Sequence, residues 1–229
     1  MPDISTINTV AVADINKFQS ITFADGQKVN NQSVSLITDA HVLIDTYLDI
    51  NTTDTAVCEV DITTGIDSTY DVYEIHYTNI HAETDDQSFM FQVDTGSLTN
   101  YNQPMVTTFW QSYHKEDDSD PGVGYSTGND QSIGDQAFQK LAKDQGNEDD
   151  ESASGILTLY SPSSTAVFTA FAAESNNSQG SSYTQSAFVS GYVKTLASSG
   201  LAPITRVRFK MGSGDIDAGT IKMYGLAKS

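Results

Sequence analysis

Across Thr69–His81, Tyr73, Ile75 and Tyr77 alternate with Glu74, His76 and Thr78. A two-residue period sends successive side chains to opposite faces of a pleated strand, so this stretch reads as a strand with one buried side. Its aromatic and β-branched residues suit a half-buried surface. Asn79 and the run Glu83-Thr84-Asp85-Asp86 supply turn chemistry, and Ser88–Val93 follows closely enough to predict an antiparallel pair with the first strand.

Similar runs recur along the chain. Val34–Thr38 and His41–Ile50 are strand-rich; Leu43, Ile44, Tyr47 and Leu48 also fit helical spacing, but strand is favoured. Ala56–Ile62 and Met105–Tyr113 add two more runs. A polar insertion from His114 to about Ser154 carries Lys115–Asp120, Asn147–Glu151 and a short segment, Asp135–Lys143, in which Phe138 and Leu141 have helical spacing. Acidic insertions between strands belong on the surface. Gly155–Tyr160, Thr165–Ala172, Ser186–Lys194, Pro203–Met211 and Gly219–Gly225 complete about nine to eleven strands, the pattern of an all-β sandwich or jelly roll.

The first two dozen residues differ. Asp3–Ala13 aligns without a gap on Asp14–Ala24, an 11-residue tandem repeat that matches Ile4 with Ile15, Ile7 with Phe18, Val10 with Ile21 and Val12 with Phe23. Two copies are too few for a solenoid. The expected organisation is an N-terminal arm, residues 1–33, and a jelly-roll-like β-sandwich, residues 34–229. The arm either folds back as an edge segment or inserts into a partner subunit, with Ile4, Ile7, Val10, Ile15, Phe18, Ile21 and Phe23 as the anchoring candidates.

Charge limits the partners. Eleven Lys and Arg stand against 30 Asp and Glu, a net of −19, which repels phosphate backbones and makes nucleic acid an unexpected partner. The single cysteine, Cys58, lies in the apolar run Ala56–Val60 and reads as a small buried hydrophobe. The N-terminus lacks the basic and apolar regions of a secretory signal, and no run is long and apolar enough to span a bilayer, so the expectation is a soluble chain made in the cytosol and not bound to membrane.

Catalytic and metal signatures are sparse. His41, His76, His81 and His114 are scattered, and the odd separation of His76 and His81 makes them a poor metal pair. Asp117, Asp118 and Asp120 depart from the calcium-loop register, although oxygen-rich loops can take calcium weakly; no other cofactor is expected. Carboxylate pairs such as Glu74 with Asp71, or Asp215 with Asp217, are too common in an acidic chain to mark a glycosidase. The chain has no Gly-rich phosphate loop, and no catalytic residue is assigned and an enzyme is not expected. Aromatics remain as a means of binding: Phe109, Trp110, Tyr113, Tyr125, Tyr160 and Tyr183. Adjacent Phe109 and Trp110 face opposite ways on a strand, one to the core and one outward. Trp110, Tyr113 and Tyr125 are the candidate ligand-binding residues.

Tyr73–His81, Phe89–Val93, Ser154–Ser164 and Gly214–Gly225, with the doubled Ile-Ser-x-Ile-Asn-type arm, resemble virion structural proteins of marine tailed bacteriophages, cyanophages in particular. The resemblance runs from about residue 69 to the C-terminus, with the arm as a separate match. It implies a non-catalytic β-sandwich on the particle exterior, as a tail fibre or tail accessory or as a capsid decoration. Implied partners are other virion proteins and further copies of the chain, with a trimer as one arrangement. Such a protein is assembled in the host cytoplasm and carried on the virion. The alternative is a carbohydrate-binding module that recognises host-surface glycans.

Overall fold

The computed structural model describes residues 28–29, 32–33, 41–51, 54–96, 98–195 and 200–226. The chain forms two compact units, Met1–Asp39 and Ala40–Ser229. In the first, β1 (Lys28–Val29) and β2 (Gln32–Ser33) pair antiparallel. Val34–Thr38 and the seven anchoring positions of the arm lie outside the described residues.

The second unit is all-β among its described residues. Its strands are β3 (His41–Ile50), β4 (Glu59–Ile62), β5 (Val72–Ala82), β6 (Gln87–Thr95), β7 (Met105–Lys115), β8 (Gly122–Tyr125), β9 (Gln139–Gln145), β10 (Ala153–Tyr160), β11 (Thr169–Gln179), β12 (Tyr183–Val193), β13 (Ile204–Met211) and β14 (Ile216–Leu226). They form two layers. One runs β3-β14-β5-β10-β11-β12-β7-β8 and the other β4-β13-β6-β9, with every pairing antiparallel. Single pairings, Gln179 with Gln145 and Val57 with Ile216, join the layers and nearly close the sheet.

This order defines a jelly roll. Setting aside β7, β8, β11 and β12, the quartet β3-β14-β5-β10 faces the quartet β4-β13-β6-β9. The chain crosses between quartets at each step except β6 to β9, which is double-Greek-key winding. The four remaining strands extend the first quartet beyond β10, and they come from two separate excursions of the chain.

The core lies between the layers. Tyr73, Ile75 and Tyr77 of β5 are fully buried, as the alternation predicts, opposite Phe89, Phe91 and Val93 of β6. Ring centroids of Tyr77 and Phe89 lie 5.2 Å apart, and those of Phe91 and Phe171 also 5.2 Å, edge to face. At one edge, Arg208 of β13 grips Asp61 of β4 through Nε (2.5 Å) and Nη2 (2.6 Å) and lies over the Tyr101 ring. A forked guanidinium on a carboxylate fixes both groups in register.

Several expectations are corrected. β5 and β6 do not pair: β14 and β10 occupy both edges of β5, β13 and β9 occupy those of β6, and residues 83–86 arch from one layer to the other. β5 continues past Asn79, which takes φ +52° where the register with β10 shifts. Asparagine tolerates this left-handed conformation better than most residues. Asp135–Lys143 is not helical. It leads into β9, whose Leu141 and Ala142 are fully buried, so part of the polar insertion is interior structure. Cys58 is exposed, because a bend there separates the Val57 bridge from β4 and breaks the alternation that continues through Val60 and Ile62. His41–Ile50 is a strand, as expected.

Candidate functional site

The outward face of the extended layer carries an ordered row. Ile156 (β10), Glu174 (β11), Phe188 (β12), Trp110 (β7) and Tyr125 (β8) are successive cross-strand partners. Short side chains flank the row. On one side run Ser154, Asn176, Ser186 and Ser112; on the other run Thr158, Ala172, Ser190 and Thr108. All of these except Tyr125 line a depression of about 1030 Å³, and Tyr125 stands next to Trp110 beyond its lining. Trp110 is 48% exposed, Phe188 46% and Tyr125 51%, so all three are open to solvent.

Strand parity explains the row. Phe109, fully buried, takes the inward position beside outward Trp110, and inward Ala187 and Val189 bracket outward Phe188. The excursion that carries β7 and β8 delivers Trp110 and Tyr125 to neighbouring strands, and the Tyr125 hydroxyl donates to Asp130 Oδ2 at 2.6 Å. That hydrogen bond raises the phenol pKa, with burial and the Asp130 charge adding to it. Tyr113 is not part of this group. It has the parity of Phe109, and its ring meets that of Tyr183 edge to face at 6.0 Å. Two further aromatics on the same outward face, Phe168 and Tyr192, stack at 4.8 Å, and Tyr160 is also exposed.

Sequence reasoning missed Ile156, Glu174 and Phe188. Phe188 lies in an almost uninterrupted apolar run, Ala187-Phe188-Val189, where composition alone does not separate the two faces. Its flanking Ser186 and Ser190 are the signal, since they share its parity.

His41, His76 and His114 and the Asp117, Asp118 and Asp120 carboxylates are held by near neighbours. His41 and His76 donate through Nε2 to the same Glu74 oxygen, at 3.0 and 3.1 Å, which requires a proton on each of those nitrogens. Asp117 accepts from the Ser119 backbone and hydroxyl, Asp118 Oδ1 lies 3.0 Å from His114 Nε2, and Asp120 accepts from the Tyr183 hydroxyl. Each of these three aspartates therefore holds a different partner. Among the described residues, no group of three or more His, Cys, Asp or Glu is placed to hold a metal ion. Nor is any helix among them long and apolar enough to cross a membrane. Exposed Cys58 has its thiol pKa raised by a hydrogen bond to Asp215 and by that carboxylate's charge.

His81, at the end of β5, is a charged strap. Its Nε2–H donates to the Glu148 carbonyl at 3.0 Å, and Nδ1 lies 2.6 Å from Asp217 Oδ1. Both partners accept, so both bonds together require an imidazolium. Burial lowers its pKa, but the Glu148 carbonyl, the bond and charge of Asp217 and the charge of Asp149 outweigh burial and raise it above 6.5. A raised folded value means that this stabilisation is complete below 6.5 and is lost as pH rises through the folded value. Thermal melts should therefore show a larger fall between about pH 6 and about pH 9 for the wild type than for His81→Gln. Equal falls would remove His81 as the titrating group.

No protein-family model, curated protein or solved structure matches the chain. The fold and the outward aromatic row therefore define the class by themselves: an acidic all-β jelly-roll protein with an extended, aromatic-bearing sheet.

Proposed function

We propose that this chain is a non-enzymatic structural protein displayed on the exterior of a tailed phage particle, as a tail fibre or accessory protein or as a capsid decoration. The winding of β3–β6, β9, β10, β13 and β14 carries this reading, because the double-sheet jelly roll recurs in viral capsid domains. The separate unit Met1–Asp39, with its repeated apolar positions, supports anchoring to other virion proteins. A net charge of −19 suits an outer surface that must resist non-specific association. Copies of the chain, three in one arrangement, would assemble around such anchors.

Gold-tagged antibody against the chain, viewed on intact particles by electron microscopy, tests the proposal. Label on the shell is expected for a decoration protein and label on the tail for a host-attachment protein. Particles without label would remove the exterior virion role. Deleting residues 1–24 should abolish incorporation while leaving the jelly roll folded; a truncated chain that still assembles would refute the anchoring role.

Carbohydrate recognition is the second reading, and it is compatible with host attachment. The cross-strand pair Trp110 and Tyr125 favours it, because exposed aromatic faces on a jelly-roll sheet suit the amphipathic faces of sugars.

A further inference from the structure

We propose that the outward row from Ile156 to Tyr125 binds a neutral, unbranched glycan laid across the strands, with Glu174 selecting against acidic sugars; this rests on the carbohydrate reading. The surface is banded. An apolar and aromatic row, interrupted by Glu174, lies between two rows of short, mostly hydroxyl-bearing side chains. A pyranose has matching chemistry, with C–H faces that stack on rings and equatorial hydroxyls that bond at the edges. A protein partner with a dry apolar surface fits less well, since it would strip water from both hydroxyl rows without replacing the bonds.

Length and charge narrow the ligand. Five strands separated by about 4.8 Å give a row of about 19 Å, room for about four hexose rings. Glu174 sits within the row between Ile156 and Phe188, exposed, with no hydrogen bond from another described side chain occupying its carboxylate. Two carboxylate oxygens can accept from a vicinal diol, whereas a uronate or sulfate brought there would meet Glu174 and a protein of net charge −19. Rejection of acidic glycans is thus built into the centre of the face.

Trp110 is the only tryptophan in the chain, so its fluorescence reports on the row directly. The full-length protein is titrated with neutral oligomers of glucose, mannose, galactose and xylose, and with polyuronate oligomers of equal length. The expected result is saturable perturbation of Trp110 by a neutral oligomer. Affinity should rise up to about four rings and then level off, with polyuronate at least about tenfold weaker. Glu174→Gln should erase that discrimination, and Phe188→Ala, which keeps the reporter, should weaken neutral binding about tenfold. Both side chains point outward, so unchanged thermal melts will confirm that the variants fold. Equal binding of neutral and acidic oligomers by the wild type would overturn the charge selection and leave the carbohydrate reading standing. No perturbation by any oligomer would overturn both. A self-association that shields Trp110 from acrylamide quenching, and is lost in Phe188→Ala, would instead make a second copy the occupant and overturn the glycan site.

Discussion

Phe91→Ala is expected to lower the unfolding free energy by about 3–5 kcal/mol, the cost of removing a buried aromatic ring and leaving a cavity. Phe91 is fully buried on β6 and reaches Phe171 of β11 in the facing layer at 5.2 Å and Phe209 of the adjacent β13 at 6.5 Å. It therefore connects the four-strand layer to the extended layer and also packs within its own. Backbone hydrogen bonds hold strands within each layer, whereas the layers adhere chiefly through such side chains. Urea titration should show a lower midpoint with an unchanged slope. Phe188→Ala removes the same ring from the outward face, where 46% of it already meets solvent, and should cost much less. Similar losses in the two variants would contradict the inward placement of Phe91 and the outward placement of Phe188.

That contrast marks what local sequence can convey. Tyr73, Ile75 and Tyr77 announce a strand and its buried face, because alternation is a property of neighbours in the chain. It carries no information about which other strand lies alongside. Ser88–Val93 is close in sequence to β5 but belongs to the other layer, since the edges of β5 are taken by β10 and β14, which lie far along the chain. The jelly-roll class was therefore legible, and the winding that brings β7 and β8 beside β12 was not.

The missed interior strand has a different cause. β9 places Gln139, Leu141 and Gln145 inside, and its two inward glutamines look like loop residues in a hydropathy pattern. They are accommodated by specific bonds: Gln139 Nε2 donates to the Asn129 carbonyl at 2.9 Å, and Gln145 Nε2 to the Ile80 carbonyl at 2.8 Å. Buried amides tolerated in this way depend on partners remote in sequence. β11 repeats the effect. Its inward Ser175 and Asn177 disguise a strand that runs to Gln179, well past the apolar Thr165–Ala172 run, and this extension carries Glu174 into the candidate site. The site was thus half legible: Trp110 and Tyr125 stand out by residue type, whereas Glu174 emerges only once β11 is known to continue.

Gly155→Ala is expected to cost about 2–5 kcal/mol, although it adds a single methyl group, because it combines overpacking with loss of a buried hydroxyl's partner. Gly155 of β10 lies between Tyr77 of β5 and Ser175 of β11 on the inward face. The Tyr77 ring passes over the glycine, and its hydroxyl hydrogen-bonds Ser175 on the far strand. A Cβ at position 155 would press into both that phenol and the Glu174 carbonyl. Burial strongly raises the Tyr77 pKa, with Ser175 opposing the shift and the Glu174 charge adding to it, so the native phenol stays neutral while exposed tyrosines ionise. In Gly155→Ala, ultraviolet titration should detect one more tyrosine ionising before global unfolding. Tyr77→Phe in the same chain should recover part of the loss, since it removes the clashing oxygen but not the contact with the backbone carbonyl. A double-mutant cycle would measure that coupling. Strict additivity would mean that the ring does not cross the glycine. The same substitution should also displace Glu174 through its carbonyl, so disturbed glycan selection in Gly155→Ala would tie the packing of the inward face to the chemistry of the outward one.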